Sequence, residues 1–119
     1  VNYVISIDSA GRINATVGSQ VTQSVSGAVA INTGYFFVGM TFNSTGRKIY
    51  VNSIDVTAVG GGNTNLPTDT ASVVRIGNSR LVVNRKFDGA IDEIPIWKRV
   101  ITPSEIKSLY NSGLGLAIV

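Results

Sequence analysis

The chain contains neither cysteine nor histidine among its 119 residues. Without cysteine there is no disulfide framework, no thiol chemistry and no thiolate metal site. Without histidine the usual general base, the usual zinc ligand and any imidazole-dependent serine triad are missing. Acidic residues are also few, seven against ten Lys and Arg, which leaves a modest net charge of +3. No apolar run approaches the roughly 20 residues needed to span a bilayer, and no signal peptide is visible, so membrane insertion is not expected. A cysteine-free domain of this size is ordinary for a bacterium or a virus and unusual for a small extracellular animal domain.

The shortage of acids bears directly on catalysis. Glycoside hydrolysis needs two carboxyl groups on one face, about 5 to 9 Å apart. The acids are Asp8, Asp55, Asp69, Asp88, Asp92, Glu93 and Glu105. Asp92 and Glu93 are adjacent, so in a regular strand they point to opposite faces. Asp88 and Asp92 share parity but are too far apart for a retaining pair. Glu105 is taken up by a helix cap. The expectation is a domain that is not an enzyme.

What the chain does have is strand periodicity. Tyr3, Ile5 and Ile7 alternate with Val4, Ser6 and Asp8. Asp8 to Gly11 supplies turn chemistry, and Arg12 to Val17 resumes the alternation, which predicts a hairpin. Residues 18 to 34 are rich in Ser, Gln, Thr and Gly, with a weak strand expected at Ala28–Ile31. Tyr35 to Asn43 is the strongest strand signal. Phe36, Val38, Met40 and Phe42 share one face and Tyr35 and Phe37 the other, which places it near the middle of a sheet. A turn at Asn43–Gly46 leads to Arg47–Asn52, with Ile49 and Val51 inward. A bend at Asn52-Ser53 precedes a third strand, Ile54–Ala58. The run Gly60–Asp69 is an exposed glycine-rich loop, Ser72–Gly77 another strand, and Asn78–Lys86 a basic loop.

From Lys86 to Gly113 the pattern changes from strand to helix. Phe87–Lys98 reads as a strand. Thr102 then sits at an N-cap position, Pro103 at the first helical position, and Glu105 where it closes a capping box. Ile101 and Ile106 have the spacing of a hydrophobic staple. Ile106, Leu109 and Tyr110 share a face, and Gly113 is the expected left-handed terminator. Ile91 and Ile94 cannot face the same core in an unbroken strand, so an irregularity is expected between them.

Phe87, Gly89, the Ile91-Asp92-Glu93 triplet, Ile94, Ile96, Trp97, the Thr102–Glu105 cap and Leu109-Tyr110-Asn111 together resemble the C-terminal signature of laminin-G-like domains. YFFVGMTFNSTGRKIYVN, from Tyr35 to Asn52, is similar to paired strands of that family. Pro95 and Tyr35 depart from the usual pattern. The resemblance implies an all-β, antiparallel, two-sheet jelly roll of the concanavalin A-like type with one short C-terminal helix. For that fold 119 residues is short, and the chain opens at Val1 inside a strand. The expectation is a single domain over 1–119 that lacks its first strands and is part of something longer.

The resemblance also implies candidate sites. In several such domains the aspartate matching Asp92 helps to hold a structural calcium, which wants six to eight oxygens. The preferred reading has Asp92 bonded instead to backbone amides at a bulge, with no cofactor required. Glycan contacts in jelly-roll lectins come from loop aromatics, Asn and Asp, here Tyr3, Tyr35, Trp97, Asn63 and Asn65. The cations Arg75, Arg80, Arg85, Lys86, Lys98, Arg99 and Lys107 lack aromatic interleaving, so nucleic acid is not an expected partner.

The function expected is a non-catalytic binding or structural module of a virion or bacterial surface assembly, outside the cell or on a surface. The alternative is a glycan-binding accessory domain of a secreted hydrolase. Open sheet edges must be paired or covered, so a second polypeptide or a missing segment is expected there, in a homo- or hetero-oligomer. Residues 1 to 8 or the Leu114–Val119 tail are expected at that contact.

Overall fold

The computed structural model describes residues 3–60, 73–78 and 85–115. Alternating apolar residues form the first hairpin as expected: β1 (Tyr3–Ile7) pairs antiparallel with β2 (Ile13–Val17), Tyr3 opposite Val17 and Ile7 opposite Ile13. The turn is built by the Asp8 carboxylate, which accepts from the Ala10 and Arg12 amides at 2.9 and 3.1 Å. Gly11 completes it at φ +66°, and a Cβ there would lie 2.1 Å from the Val29 carbonyl oxygen. This close approach matters because the chain at 27–29 docks on the turn. Gly27 donates to the Ala10 carbonyl and Val29 to that of Gly11.

That docking replaces the strand expected at Ala28–Ile31. Val29 enters the core from a turn, and the third strand lies earlier, β3 (Gln20–Ser24), paired with β2. Its inward residues, Thr22 and Ser24, are polar and fully buried, so no hydrophobic alternation marks them. Both are satisfied. Ser24 Oγ accepts from the Ile13 amide at 2.8 Å, and Thr22 Oγ1 accepts from Nε of the buried Arg47 at 2.6 Å.

The second sheet is β4 (Val38–Phe42), β5 (Arg47–Val51) and the two-residue β6 (Ile54–Asp55). The Asn43 side chain accepts from the Thr45 and Gly46 amides and shapes the β4–β5 turn. Ile49 and Val51 point inward, joining Ile13, Ala15 and Val29 in one core, with Phe36, Val38 and Met40 packed on it. The expected Ile54–Ala58 strand is two strands in different sheets. After the left-handed pair Asn52 (φ 49°) and Ser53 (φ 68°), β6 pairs with β5. One residue later β7 (Thr57–Val59) pairs with β3. At the switch the Val56 amide donates to the Ile49 carbonyl, and the Val56 carbonyl accepts from the Val25 amide. The sheets therefore run β1-β2-β3-β7 and β4-β5-β6, both antiparallel.

Among the described strands β4 is an edge, not a central strand. The aromatic residues on both faces of its lead-in, Phe36 and Phe37, have another cause: a helix covers the outer one. That helix, α1 (Pro103–Tyr110), carries both reciprocal bonds of the capping box. Ile101 and Ile106 pack with Tyr50, and Phe37 and Leu109 join them. The left-handed terminator is Asn111 (φ 47°), and a short 3-10 turn to Gly113 follows. Two further expectations change. Residues 73–77 and 87–98 form no strand, and a single bridge joins Asn78 to Lys86. The left-handed Glu93 (φ 49°) is the irregularity between Ile91 and Ile94, and Pro95 has no amide to offer a ladder. The Gly60–Asp69 loop beyond Gly60, residue 72 and residues 79–84 lie outside the described residues. The whole is a two-sheet antiparallel sandwich of the jelly-roll kind with one short C-terminal helix.

Gly11→Ala should destabilise the domain by about 1–3 kcal/mol or more, because it adds left-handed strain to a backbone clash. Urea denaturation checks it, and an unchanged midpoint would contradict the docking at Val29. A second expectation concerns acid. Glu105 bonds bidentately to Arg99 at 2.6 and 2.9 Å and accepts from the Thr102 amide at 2.7 Å. The Arg99 bonds first, then the Thr102 amide, lower its pKa from 4.5 to about 2. Its contribution is present above pH 4.5 and is lost as pH falls towards 2, since the unfolded chain takes up the proton first. Thermal melts of wild type and Glu105→Gln should converge over that window.

Candidate functional site

Two concave regions flank the helix. On one side Trp97, Arg99, Ile101 and Leu109 line a shallow cleft of about 320 Å³. Its polar groups are committed to structure, because Arg99 and Glu105 are bonded to each other across the helix start. Trp97 lines this cleft beside Ser108 and Leu109 of the helix and is partly exposed.

The other cleft, about 390 Å³, forms where the lead-in to β4 meets the end of α1. Phe36 and Phe37 are half-buried, anchoring the lead-in on both faces of the sheet. Tyr35, one residue before them, is left 82% exposed. Asn52 holds this segment: its Oδ1 accepts from the Phe37 amide at 3.1 Å, and its amide donates to the Phe37 carbonyl at 2.9 Å. From the helix side Tyr110 packs at 57° to Phe37, with ring centres 6.3 Å apart. Gly113, Leu114 and Gly115 form the rim beyond the left-handed Asn111 and Ser112. Asp92 and Glu93 supply the third wall. Asp92 Oδ1 accepts from the Glu93 amide at 2.9 Å, which holds Glu93 in its left-handed conformation. The cleft can offer aromatic faces and carboxylate acceptors to a small polar ligand.

Of the residues singled out in the sequence, Tyr35 and Asp92 meet in this cleft. Trp97 sits in the other one. Tyr3 lies by the far end of β4, its ring 5.3 Å from that of Phe42. Asn63 and Asn65 are outside the described residues. Asp92 accepts from one backbone amide, that of Glu93, in a segment that forms no strand and so no bulge. Among the described residues no three acidic side chains are grouped. Sequence reading missed Tyr110 and Leu114 as site residues. Tyr110 was legible only as part of the packing face of the helix, and nothing local marked Leu114.

Three other acids, Asp8, Asp55 and Glu105, serve the framework. Asp8 builds the first turn, with Arg12 3.9 Å away. Asp55 accepts from Thr57 Oγ1 at 2.7 Å and pairs with Lys48 at 3.0 Å. Among the described residues no helix is long and apolar enough to cross a membrane.

No curated protein matches the sequence significantly. A solved structure, an S-layer domain-containing protein (residues 221–444) from Clostridium thermocellum, is similar at 22% identity with a TM-score of 0.56. The match covers 91% of this chain and 55% of that one, so the chain spans little more than half the length of its structural neighbour. A family model, described as the concanavalin A-like lectin/glucanases superfamily, matches residues 2–107. With the two-sheet sandwich and the capped helix in place, the chain belongs to the laminin-G-like branch of that superfamily.

Proposed function

We propose that this domain is a non-catalytic module of a bacterial surface assembly, held in place by contact with other polypeptide. The observation that carries this reading is the side of the sandwich left open among the described residues. Tyr3, Ile5 and Ile7 share a face with the buried Val17, Ala15 and Ile13, yet they are 40–49% exposed. Such an apolar ledge, on an edge strand without charge or proline, is what an isolated soluble domain avoids. The likeness to an S-layer domain-containing protein supports a bacterial surface over a virion as the setting. The engagement of Asp8, Asp55 and Glu105 in turns, ion pairs and a cap supports the absence of catalysis. Fractionation of producing cells should place the protein in the envelope, cleavable by protease added to intact cells. Recovery from the cytosol alone would refute the reading.

The cleft between Tyr35 and Tyr110 favours a second reading, a glycan-binding role of the kind found in accessory domains of secreted hydrolases. A sugar ring stacked on the exposed Tyr35 could direct hydroxyls at Asp92 or Glu93. On a glycan array, any specific binding should fall at least tenfold in Tyr35→Ala with an unchanged melt. A silent array removes this reading and leaves the first.

A further inference from the structure

Among the described residues, one side of the sandwich is closed and the other is not. On the β6/β7 side the chain itself passes between the sheets at Val56, with backbone bonds to both. On the opposite side lie β1 and β4, each with a neighbouring strand on one side only among the described residues. The two sheets are also out of step. β5 packs over β3 and β7, and Val38 and Met40 of β4 pack on the core that holds Ile13 and Ala15 of β2. This leaves β1 overhanging by one strand. Phe42, at the end of β4, reaches over to Tyr3, with ring centres 5.3 Å apart.

We infer that the open side is closed by a second copy of this chain, related by a two-fold axis that runs along the strands midway between the sheets. This operation puts β1 of the second copy beside β4 of the first, and β4 of the second beside β1 of the first. Each sheet then runs from the four strands of one copy into the three of the other, seven in all. The overhang of one copy fills the step left by the other, and the two apolar ledges face each other across the roughly 10 Å between packed sheets.

The details agree with that operation. Tyr3 opens β1 and lies beside Phe42, which ends β4, so the two strands run in opposite directions and the new pairs are antiparallel. Both strands have five residues. Setting Tyr3 opposite Phe42 puts Ile5 opposite Met40 and Ile7 opposite Val38, all six on the inner face. A one-residue slip would take the three of one strand off the face shared with the other three. Neither YVISI nor VGMTF carries a charge or a proline, the usual guards of a free edge. Each copy would cover two edges of roughly 17 Å plus its ledge, the scale of a standard interface of about 800 Å² per partner.

The other self-pairings fail on geometry. Joining β1 to β1 extends one sheet and leaves both ledges open. Joining β4 to β4 drives each overhanging β1 into β2 of the other copy. An isologous contact of the inferred kind closes on itself and does not polymerise.

This inference rests on the proposed assembly role and goes further in naming the occupant. A chain found in the envelope but monomeric would refute the dimer and leave the role standing. Light scattering should give a mass near twice the 12.5 kDa of the chain. In the inferred register Val4 and Thr41 are opposite each other on the outer faces, and the protein has no cysteine of its own. Val4→Cys mixed with Thr41→Cys and mildly oxidised should form disulfide-linked heterodimers, while neither variant cross-links by itself. Ile5→Lys should raise the dissociation constant at least 100-fold. A monomer at every accessible concentration would overturn the inference. So would Val4→Cys linking to itself, which reports β1-to-β1 pairing.

Discussion

The structure depends on the single-residue crossing at Val56. Its amide is bonded to one sheet and its carbonyl to the other, so the strands on either side of it cannot shift independently. Thr57 reinforces the crossing, with its hydroxyl accepting from the Ile49 amide at 2.9 Å while donating to Asp55. Because β5 and β3 are tied in this way, their inward rows face each other and the Ile13, Ala15, Ile49 and Val51 core follows. On the far side, among the described residues, the two sheets meet by packing, as at Tyr3 and Phe42.

That asymmetry connects the stability of the domain to what it can do. Closed by the chain on one side and, among the described residues, open on the other, the sandwich has the face that the proposed assembly would use. Burying apolar surface there gains roughly 25 cal/mol per Å², a large amount beside a typical domain stability of about 5–15 kcal/mol. The helix performs a comparable task on the outer face of the second sheet. By covering Tyr50 and Phe37 it lets the lead-in to β4 carry aromatic residues on both faces without β4 being central. Where the helix ends against the lead-in to β4, it also forms the cleft that leaves Tyr35 open.

Polar residues contribute more to this core than composition would suggest. Arg47 is inward and buried, and its Nε bonds to Thr22. Ser24 caps the Ile13 amide at the opposite end of the same row. Buried donors and acceptors are tolerated only when satisfied, so these contacts fix the register of β3 against β2 and β5. A hydrophobic pattern is not needed there, and none is present.

The parts of this protein decided by sequence alone are those whose partners lie a few residues away. Thr102, Pro103 and Glu105 determine where the helix starts, because every bond of the capping box falls within three residues. The Asp8 and Asn43 turns and the alternation in β1, β2, β4 and β5 are local in the same sense, as is the family signature from Phe87 to Asn111. Tertiary structure decided the rest. Thr22 and Ser24 become core residues only because Arg47 and Ile13 reach them from distant parts of the chain. Ile54–Val59 is divided between two sheets because its hydrogen-bonding partners, β5 and β3, belong to different layers. Ala28–Ile31 loses its strand to a turn that docks on Gly11. Tyr35 and Asp92 share a cleft, and Trp97 does not, because the end of the helix lies between loops far apart in sequence. The one-strand offset that opens the β1/β4 side is a property of how two sheets stack, which no residue encodes by itself.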